Sequence, residues 1–100
     1  MGFRKHPIKQ RVLIALLERN GFQFKRQSGT SHRRYEGVVD GKTRRVDVDM
    51  AHDEFSPKHD PLPLIVASQL GLGTGTDAWK RFYAGHPDTA RQHGLPYKPW

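Results

Sequence analysis

The amino-acid sequence predicts an α+β domain in which a three-stranded antiparallel sheet lies between two helices in chain order. Three patterns predict this class. Apolar residues recur at helical spacing over 8–19, apolar and polar residues alternate over much of 22–50, and a second helical pattern covers 62–70. We therefore place one domain at 1–73 and expect 74–100 to form a C-terminal extension with a short aromatic helix.

The first helix is predicted over 8–19. Pro7 suits the first turn of a helix, where its missing N–H is not needed. Asn20-Gly21 is a strong stop signal, because glycine adopts the left-handed conformation without strain. The apolar stripe expected to face the core consists of Ile8, Val12, Leu13, Leu16 and Leu17.

Three strands are predicted between residues 22 and 50. The run 22–26 alternates apolar and polar side chains, and 32–38 does so less cleanly. A four-residue turn at 28–31 separates these two strands. Asp40-Gly41 precedes the third strand and favours a two-residue type I′ hairpin turn. One face of the third strand carries Val46, Val48 and Met50.

The turn at 40–41 fixes which residues of the hairpin are paired. It places Tyr35 opposite Val46 on the buried face, and the turn at 28–31 pairs Phe24 with Tyr35 there. On the polar face it pairs Arg34 with Asp47, Glu36 with Arg45, and His32 with Asp49. An opposite-charge cross-strand pair contributes roughly 0.2–1 kcal/mol. The polar face is expected to carry Lys25, His32, Arg34, Arg45, Asp47 and Asp49.

The second helix is predicted to begin at Asp60-Pro61, and the glycine-rich stretch 71–76 is typical of a flexible boundary. A further short helix is predicted over 77–84, stopped by Gly85 and Pro87 and followed by at most one helical turn. The aromatic side chains of this region need burial. The domain's own surface, a second copy in a homodimer, or a partner can cover Trp79, Phe82, Tyr83, Tyr97 and Trp100.

The positive net charge of the chain favours a polyanionic binding partner. Lysine and arginine number 17 against 10 acids, a formal charge of +7, which indicates nucleic acid first and an anionic membrane second. Apolar runs are too short for a membrane helix, and the N-terminus lacks the apolar segment of a signal peptide. Zero cysteines exclude disulfides and thiolate metal sites. We therefore expect a cytoplasmic protein without a membrane partner.

Acidic and histidine side chains crowd the connection after the third strand. A metal site can be assembled from His52, Asp53, His59, Asp60, Asp47 and Asp49. Their spacing matches no known metal motif, however, and a charged loop is the simpler interpretation. We expect neither a metal nor another cofactor.

The order helix, three strands, helix is the arrangement of the double-stranded-RNA-binding-like (dsRBD-like) fold. Within this order the chain resembles the HicA toxins of bacterial and phage toxin–antitoxin modules. Four segments carry the resemblance over about residues 8–73: LLERNGF at 16–22, RQSGTSH at 26–32, VVDGK at 38–42 and LPLIVASQLGL at 62–72. The acidic third strand and the long charged connection after it depart from the family's pattern.

The resemblance implies an mRNA interferase, an endoribonuclease neutralised by a HicB-type antitoxin. It places the catalytic residue at His32, with Gly29, Thr30 and Ser31 as its turn. Histidine side chains exchange protons near neutral pH, and RNA supplies its own nucleophile in the 2′-hydroxyl, so metal-free cleavage is possible. Asp49 is a candidate to orient the imidazole. Candidate phosphate contacts are Lys25, Arg26, Arg33, Arg34, Lys42, Arg44 and Arg45, with the backbone N–H groups of the turn.

Two other interpretations remain open. The chain can be a non-catalytic RNA-binding module of dsRBD-like fold, in which His32 is an ordinary polar surface residue. It can also be a structural or phage accessory protein that keeps the fold without the activity. Loss of cleavage in a His32→Ala variant separates the enzyme from both.

Overall fold

The computed structural model describes residues 8–29, 31–51, 53–55 and 68–100. It confirms the α+β class, with a three-stranded antiparallel sheet whose strands are neighbours in the order in which they follow along the chain. Residues 61–67 of the predicted second helix, its Asp60 start and Pro7 lie outside the described residues. The elements are β1 Ile8–Lys9, α1 Gln10–Arg19, β2 Gln23–Ser28, β3 His32–Val39, β4 Lys42–Asp49, β5 Glu54–Phe55, α2 Gly75–Ala84 and α3 Pro87–Gln92.

Helix α1 begins two residues later than predicted. Ile8 pairs with Phe55 in a two-stranded antiparallel sheet, and the Gln10 amide donates to the Asp53 carbonyl at 2.7 Å. Ile8 therefore reaches the core from a strand, so its assignment to the helix was wrong. The end of the helix is as predicted, because Gly21 takes a φ of 82°.

The β3–β4 hairpin confirms the predicted register over its whole length. Asp40 and Gly41 have φ values of 53° and 79°, the positive pair that a type I′ turn requires. Both opposite-charge pairs form: Arg34 Nε lies 3.0 Å from Asp47 Oδ1, and Arg45 Nε lies 2.9 Å from Glu36 Oε2. The paired residues run from His32 with Asp49 to Val39 with Lys42.

The pairing of β2 with β3 has the predicted register only at the end that is distant from the connection between the two strands. Phe24 pairs with Tyr35 as expected, but a bulge at Lys25 shifts the register, so that Arg26 pairs with Arg34 and Ser28 with His32. Strand β2 consequently extends to Ser28, and the connection is residues 29–31 rather than a four-residue turn. The bulge absorbs the extra residue.

Phe24 is not buried, contrary to the prediction. Its side chain is 52% exposed, whereas Tyr35 opposite it is 3% exposed. The physical reason is position, because β2 is an edge strand with a neighbour on one side only. Alternation assigned Phe24 to the correct side of the sheet, but half of its side chain stays exposed there.

One hydrophobic cluster joins the helices to one face of the sheet. Leu13, Leu16 and Leu17 of α1 are fully buried against sheet residues that include Val46 and Val48. The cluster also contains four residues of α2: Ala78, Trp79, Phe82 and Tyr83. The C-terminal region thus contributes to the same core as α1 and the sheet.

The C-terminal helices differ from the prediction at two points. Helix α2 begins at Gly75 rather than Asp77, and α3 is a six-residue helix where at most one turn was expected. Pro87 occupies the first turn of α3, so it begins a helix as well as following one. The last residue, Trp100, stacks on Phe82 with ring centroids 5.7 Å apart.

Candidate nucleic-acid interface

The sheet has one face packed by the core and one that carries polar side chains. Successive side chains of a strand point to opposite faces, so the register divides the residues between them. We call the polar side the open face and define it by Gln23, Arg26, His32, Arg34, Glu36, Val38, Thr43, Arg45, Asp47 and Asp49. Lys25 borders it at the bulge, where it lines a shallow depression of about 360 Å³.

His32 lies at the edge of the open face that adjoins the 29–31 connection. Its side chain is exposed, and its backbone pairs with Ser28 on β2 and Asp49 on β4. The connection is anchored because the Met50 amide donates to the Ser31 carbonyl at 2.5 Å, and Gly29 supplies a φ of 66°. Thr30 lies outside the described residues. A histidine is therefore presented to solvent from a backbone held on both sides.

Asp49 is the cross-strand neighbour of His32, as the register predicts. Its Oδ1 accepts a hydrogen bond from the Ala51 amide at 2.9 Å, which stabilises the turn after β4. The register thus places Asp49 directly beside His32 on the neighbouring strand.

The two arginines in the middle of the open face are neutralised. Arg34 forms a bidentate contact with Asp47, with Nη2 to Oδ2 at 3.3 Å beside the 3.0 Å Nε bond. Hydrogen bonding to Asp47, with its charge, raises the pKa of the Arg34 guanidinium above its usual value. Glu36 Oε2 accepts one hydrogen bond from Arg45 Nε at 2.9 Å. Arg34 and Arg45 are thus less available to bind phosphate than two arginines without acidic partners would be.

The cations beside His32 come from β2. The bulge at Lys25 places Arg26 opposite Arg34, on the same face as His32. Both Lys25 and Arg26 are exposed, and no ion pair involves either of them among the described residues. Alternation alone would have put Lys25 opposite Arg34, so the arrangement depends on a bulge that no local sequence signal indicates.

The predicted phosphate-binding cluster of the hairpin is divided between the two faces. Arg34 and Arg45 lie on the open face, while Arg33, Lys42 and Arg44 lie on the core side. The Arg44 guanidinium packs against Gly71, where an added Cβ would lie 2.5 Å from it. The five residues are neighbours in sequence, but strand alternation prevents them from forming one surface.

Comparison with protein-family models, with curated proteins and with solved structures gives no match to this chain. Function is therefore inferred from the residues of the open face.

Two further classes of site were sought in the described ranges. Within 8–29, 31–51, 53–55 and 68–100, no three His, Asp or Glu side chains are grouped so that they could hold a metal ion. His52, His59 and Asp60 of the alternative metal site lie outside those ranges. No helix among the described residues is long and apolar enough to cross a bilayer.

Proposed function

We propose that this chain is a HicA-like endoribonuclease that cleaves mRNA with His32 as its catalytic residue. The observation that carries the proposal is the position of His32, exposed on the open face beside the 29–31 connection. Two exposed cations, Lys25 and Arg26, lie on the neighbouring strand β2. The three-stranded sheet is compatible with the dsRBD-like fold that the HicA resemblance implies.

The reaction needs no external nucleophile. The ribose 2′-oxygen forms a bond to the adjacent phosphorus, the bond from phosphorus to the 5′-oxygen breaks, and the products are a 2′,3′-cyclic phosphate and a 5′-hydroxyl. His32 either accepts the proton of the 2′-hydroxyl or donates a proton to the leaving 5′-oxygen, and solvent water exchanges the other proton. General acid–base catalysis of this kind contributes about 10²–10⁴-fold to a rate.

Charge stabilisation comes from the β2 side of the open face. Negative charge grows on the phosphoryl oxygens in the transition state, and Arg26 and Lys25 are the exposed cations nearest in the register to His32. Backbone N–H groups of the 29–31 connection are a second candidate contact for a phosphate oxygen. Arg34 contributes less, because Asp47 already occupies its guanidinium.

The resemblance to HicA toxins also implies a protein partner. A HicB-type antitoxin would neutralise the enzyme by covering the open face around His32. The proposal does not require a second copy of this chain, because Trp79, Phe82 and Tyr83 are already buried in its own core.

The decisive experiment is cleavage of a defined RNA in EDTA by the wild type and by His32→Ala, with Thr43→Ala as the control. Thr43 is exposed on the same face at the opposite end of the hairpin. We expect His32→Ala to lose at least about 100-fold in rate and Thr43→Ala to retain the activity. The product should carry a 2′,3′-cyclic phosphate. Equal rates in wild type and His32→Ala would overturn the assignment, and cleavage abolished by EDTA would indicate a metal nuclease.

A non-catalytic RNA-binding module is the second candidate, and one observation favours it. The exposed side chains of Lys25 and Arg26 can bind phosphate whether or not His32 exchanges a proton. In that case the wild type binds RNA without cleaving it, and His32→Ala binds equally well. An Asp49→Asn variant adds a test of orientation, because asparagine can still accept the Ala51 bond while its charge is lost.

A further inference from the structure

Phe24 is an exposed aromatic ring on the edge strand of the sheet. It is 52% exposed, although it lies on the core side and contacts Tyr35 edge-to-face at 5.9 Å between ring centroids. Val38 has a similar exposure, 58%, but lies on the open face near the hairpin turn. The two residues differ in that Phe24 makes a cation–π contact among the described residues.

That cation is Arg33. Its guanidinium carbon lies 5.6 Å from the centroid of the Phe24 ring, a cation–π contact between diagonal neighbours on β2 and β3. The Arg33 Nε is buried and has no hydrogen-bond partner in the described part of the chain. A buried donor left without a partner costs free energy, so hydrogen bonding does not explain this placement of the side chain. The described contact that the guanidinium makes is with the ring.

A flat aromatic ring beside a planar cation suits one class of ligand. Nucleobases stack on phenylalanine rings and on guanidinium planes, and their attached phosphates are attracted by nearby cations. Lys25, Arg26 and Gln27 follow Phe24 along the edge, and all three are exposed. Two cations therefore follow the exposed ring along the edge strand, in addition to Arg33 at the ring itself.

We propose that Phe24 and Arg33 form a stacking site for an unpaired nucleobase of the RNA strand. The inference rests on the proposed function in that the ligand is RNA, but it concerns binding rather than cleavage. A base within a duplex is already stacked on both sides, so the site selects single-stranded RNA.

The site lies within reach of a strand that also contacts His32. Ser28, the backbone partner of His32, is four positions after Phe24 on β2, a distance of roughly 13 Å at the rise of an extended strand. Lys25 and Arg26 occupy the interval. An RNA chain that crosses the β2 edge can thus stack one base on Phe24, place phosphates at Lys25 and Arg26, and present a different linkage to His32.

The test uses a single-stranded oligonucleotide with 2′-O-methyl groups throughout, which cannot be cleaved through the 2′-oxygen. Its affinity is measured for the wild type, Phe24→Leu, Phe24→Trp and the control Tyr97→Leu, which changes an exposed aromatic residue of the C-terminal tail. The wild type is also measured with an oligonucleotide of the same length that lacks bases. We expect Phe24→Leu to weaken binding about tenfold and Tyr97→Leu to leave it unchanged. Phe24→Trp should retain affinity, and its added indole fluorescence should be quenched on binding.

The outcomes are distinguishable from those of the cleavage experiment. Equal affinity of the wild type for the base-containing and the base-free oligonucleotide overturns the stacking site, and it does so without any variant. An unchanged affinity in a folded Phe24→Leu variant also overturns the stacking site. A wild type that does not bind the oligonucleotide overturns it as well. A wild type that binds with the expected Phe24 dependence but cleaves no RNA supports the site and overturns the proposed enzyme.

Discussion

Arg81 donates two hydrogen bonds to the carboxylate of Asp40, at 3.0 and 2.8 Å. This bidentate contact joins helix α2 to the β3–β4 turn, residues that are separated by 41 positions in the chain. Asp40 also holds the positive φ that the turn requires. One residue therefore shapes the hairpin and ties the C-terminal helices to it.

The first prediction concerns acid stability through Asp40. The hydrogen bond from Arg81 lowers the pKa of Asp40 below its usual value. Its contribution to folding is thus fully present above the unfolded-state pKa of about 3.9 and is lost as the pH falls through the lowered folded-state value. Asp40→Asn should destabilise the protein at pH 7, and its difference from the wild type should shrink below about pH 4. Urea unfolding at pH 7, 5 and 3 measures this.

Asparagine is the appropriate replacement because it tolerates the left-handed conformation at a turn. The matched control is Asp40→Asn in an Arg81→Gln background, where the carboxylate has already lost its partner. There the substitution should have little dependence on pH. An equal pH dependence in both backgrounds would show that Arg81 is not the cause.

The second prediction concerns the last residue of the chain. The Trp100 indole donates to the Arg81 carbonyl at 3.0 Å, its ring contacts Phe22 and Phe82, and its amide donates to Asn20 Oδ1 at 2.7 Å. Trp100→Ala should lower the free energy of unfolding by about 2–4 kcal/mol, because a packed aromatic ring and its hydrogen bond are removed. Chemical denaturation followed by circular dichroism measures the loss.

Tyr97 supplies the comparison, since it lies in the same tail but is 42% exposed. Tyr97→Ala should cost less than about 1 kcal/mol, the usual range for a surface substitution. Similar losses for the two variants would mean that the tail is stabilised along its length rather than at its end.

The third prediction concerns a close approach inside the core. Gly37 on β3 faces Phe22, and a Cβ added to Gly37 would lie 2.5 Å from Phe22 Cδ1. Gly37→Ala should therefore destabilise the protein by about 1–3 kcal/mol through overpacking. In a Phe22→Leu background the added methyl group should cost less, because the ring that it meets is gone. Equal costs in the two backgrounds, measured by urea unfolding, would contradict this contact.

The hairpin register could be predicted because it depends on local signals. Asp40-Gly41 specifies the turn, and the opposite charges of Arg34 with Asp47 and Glu36 with Arg45 agree with one register only. His32 and Asp49 are brought together as a direct consequence. This part of the candidate site was therefore accessible from the sequence.

The remaining part depends on contacts that alternation does not encode. Ile8 fits a helical stripe, yet its position is decided by pairing with Phe55, a distant partner. The bulge at Lys25 has no local signature, and without it Arg26 would not share a face with His32. Alternation gives the face of Phe24 but not whether another layer covers it, and the exposed ring was missed for that reason.

The fourth prediction tests the charge balance of the open face. The Asp47 carboxylate accepts two hydrogen bonds from the Arg34 guanidinium, so Asp47→Asn should leave Arg34 available to bind a phosphate. We expect the affinity for the uncleavable oligonucleotide to rise about two- to fivefold at low salt, and the slope of log affinity against log salt to steepen by about 0.7, as for one more phosphate contact on a single strand. Asp88→Asn is the matched control, because it removes the same charge and frees Arg91 on helix α3, away from the sheet. An equal gain from both variants would indicate a general charge effect, and no gain from Asp47→Asn would place the RNA elsewhere on the molecule.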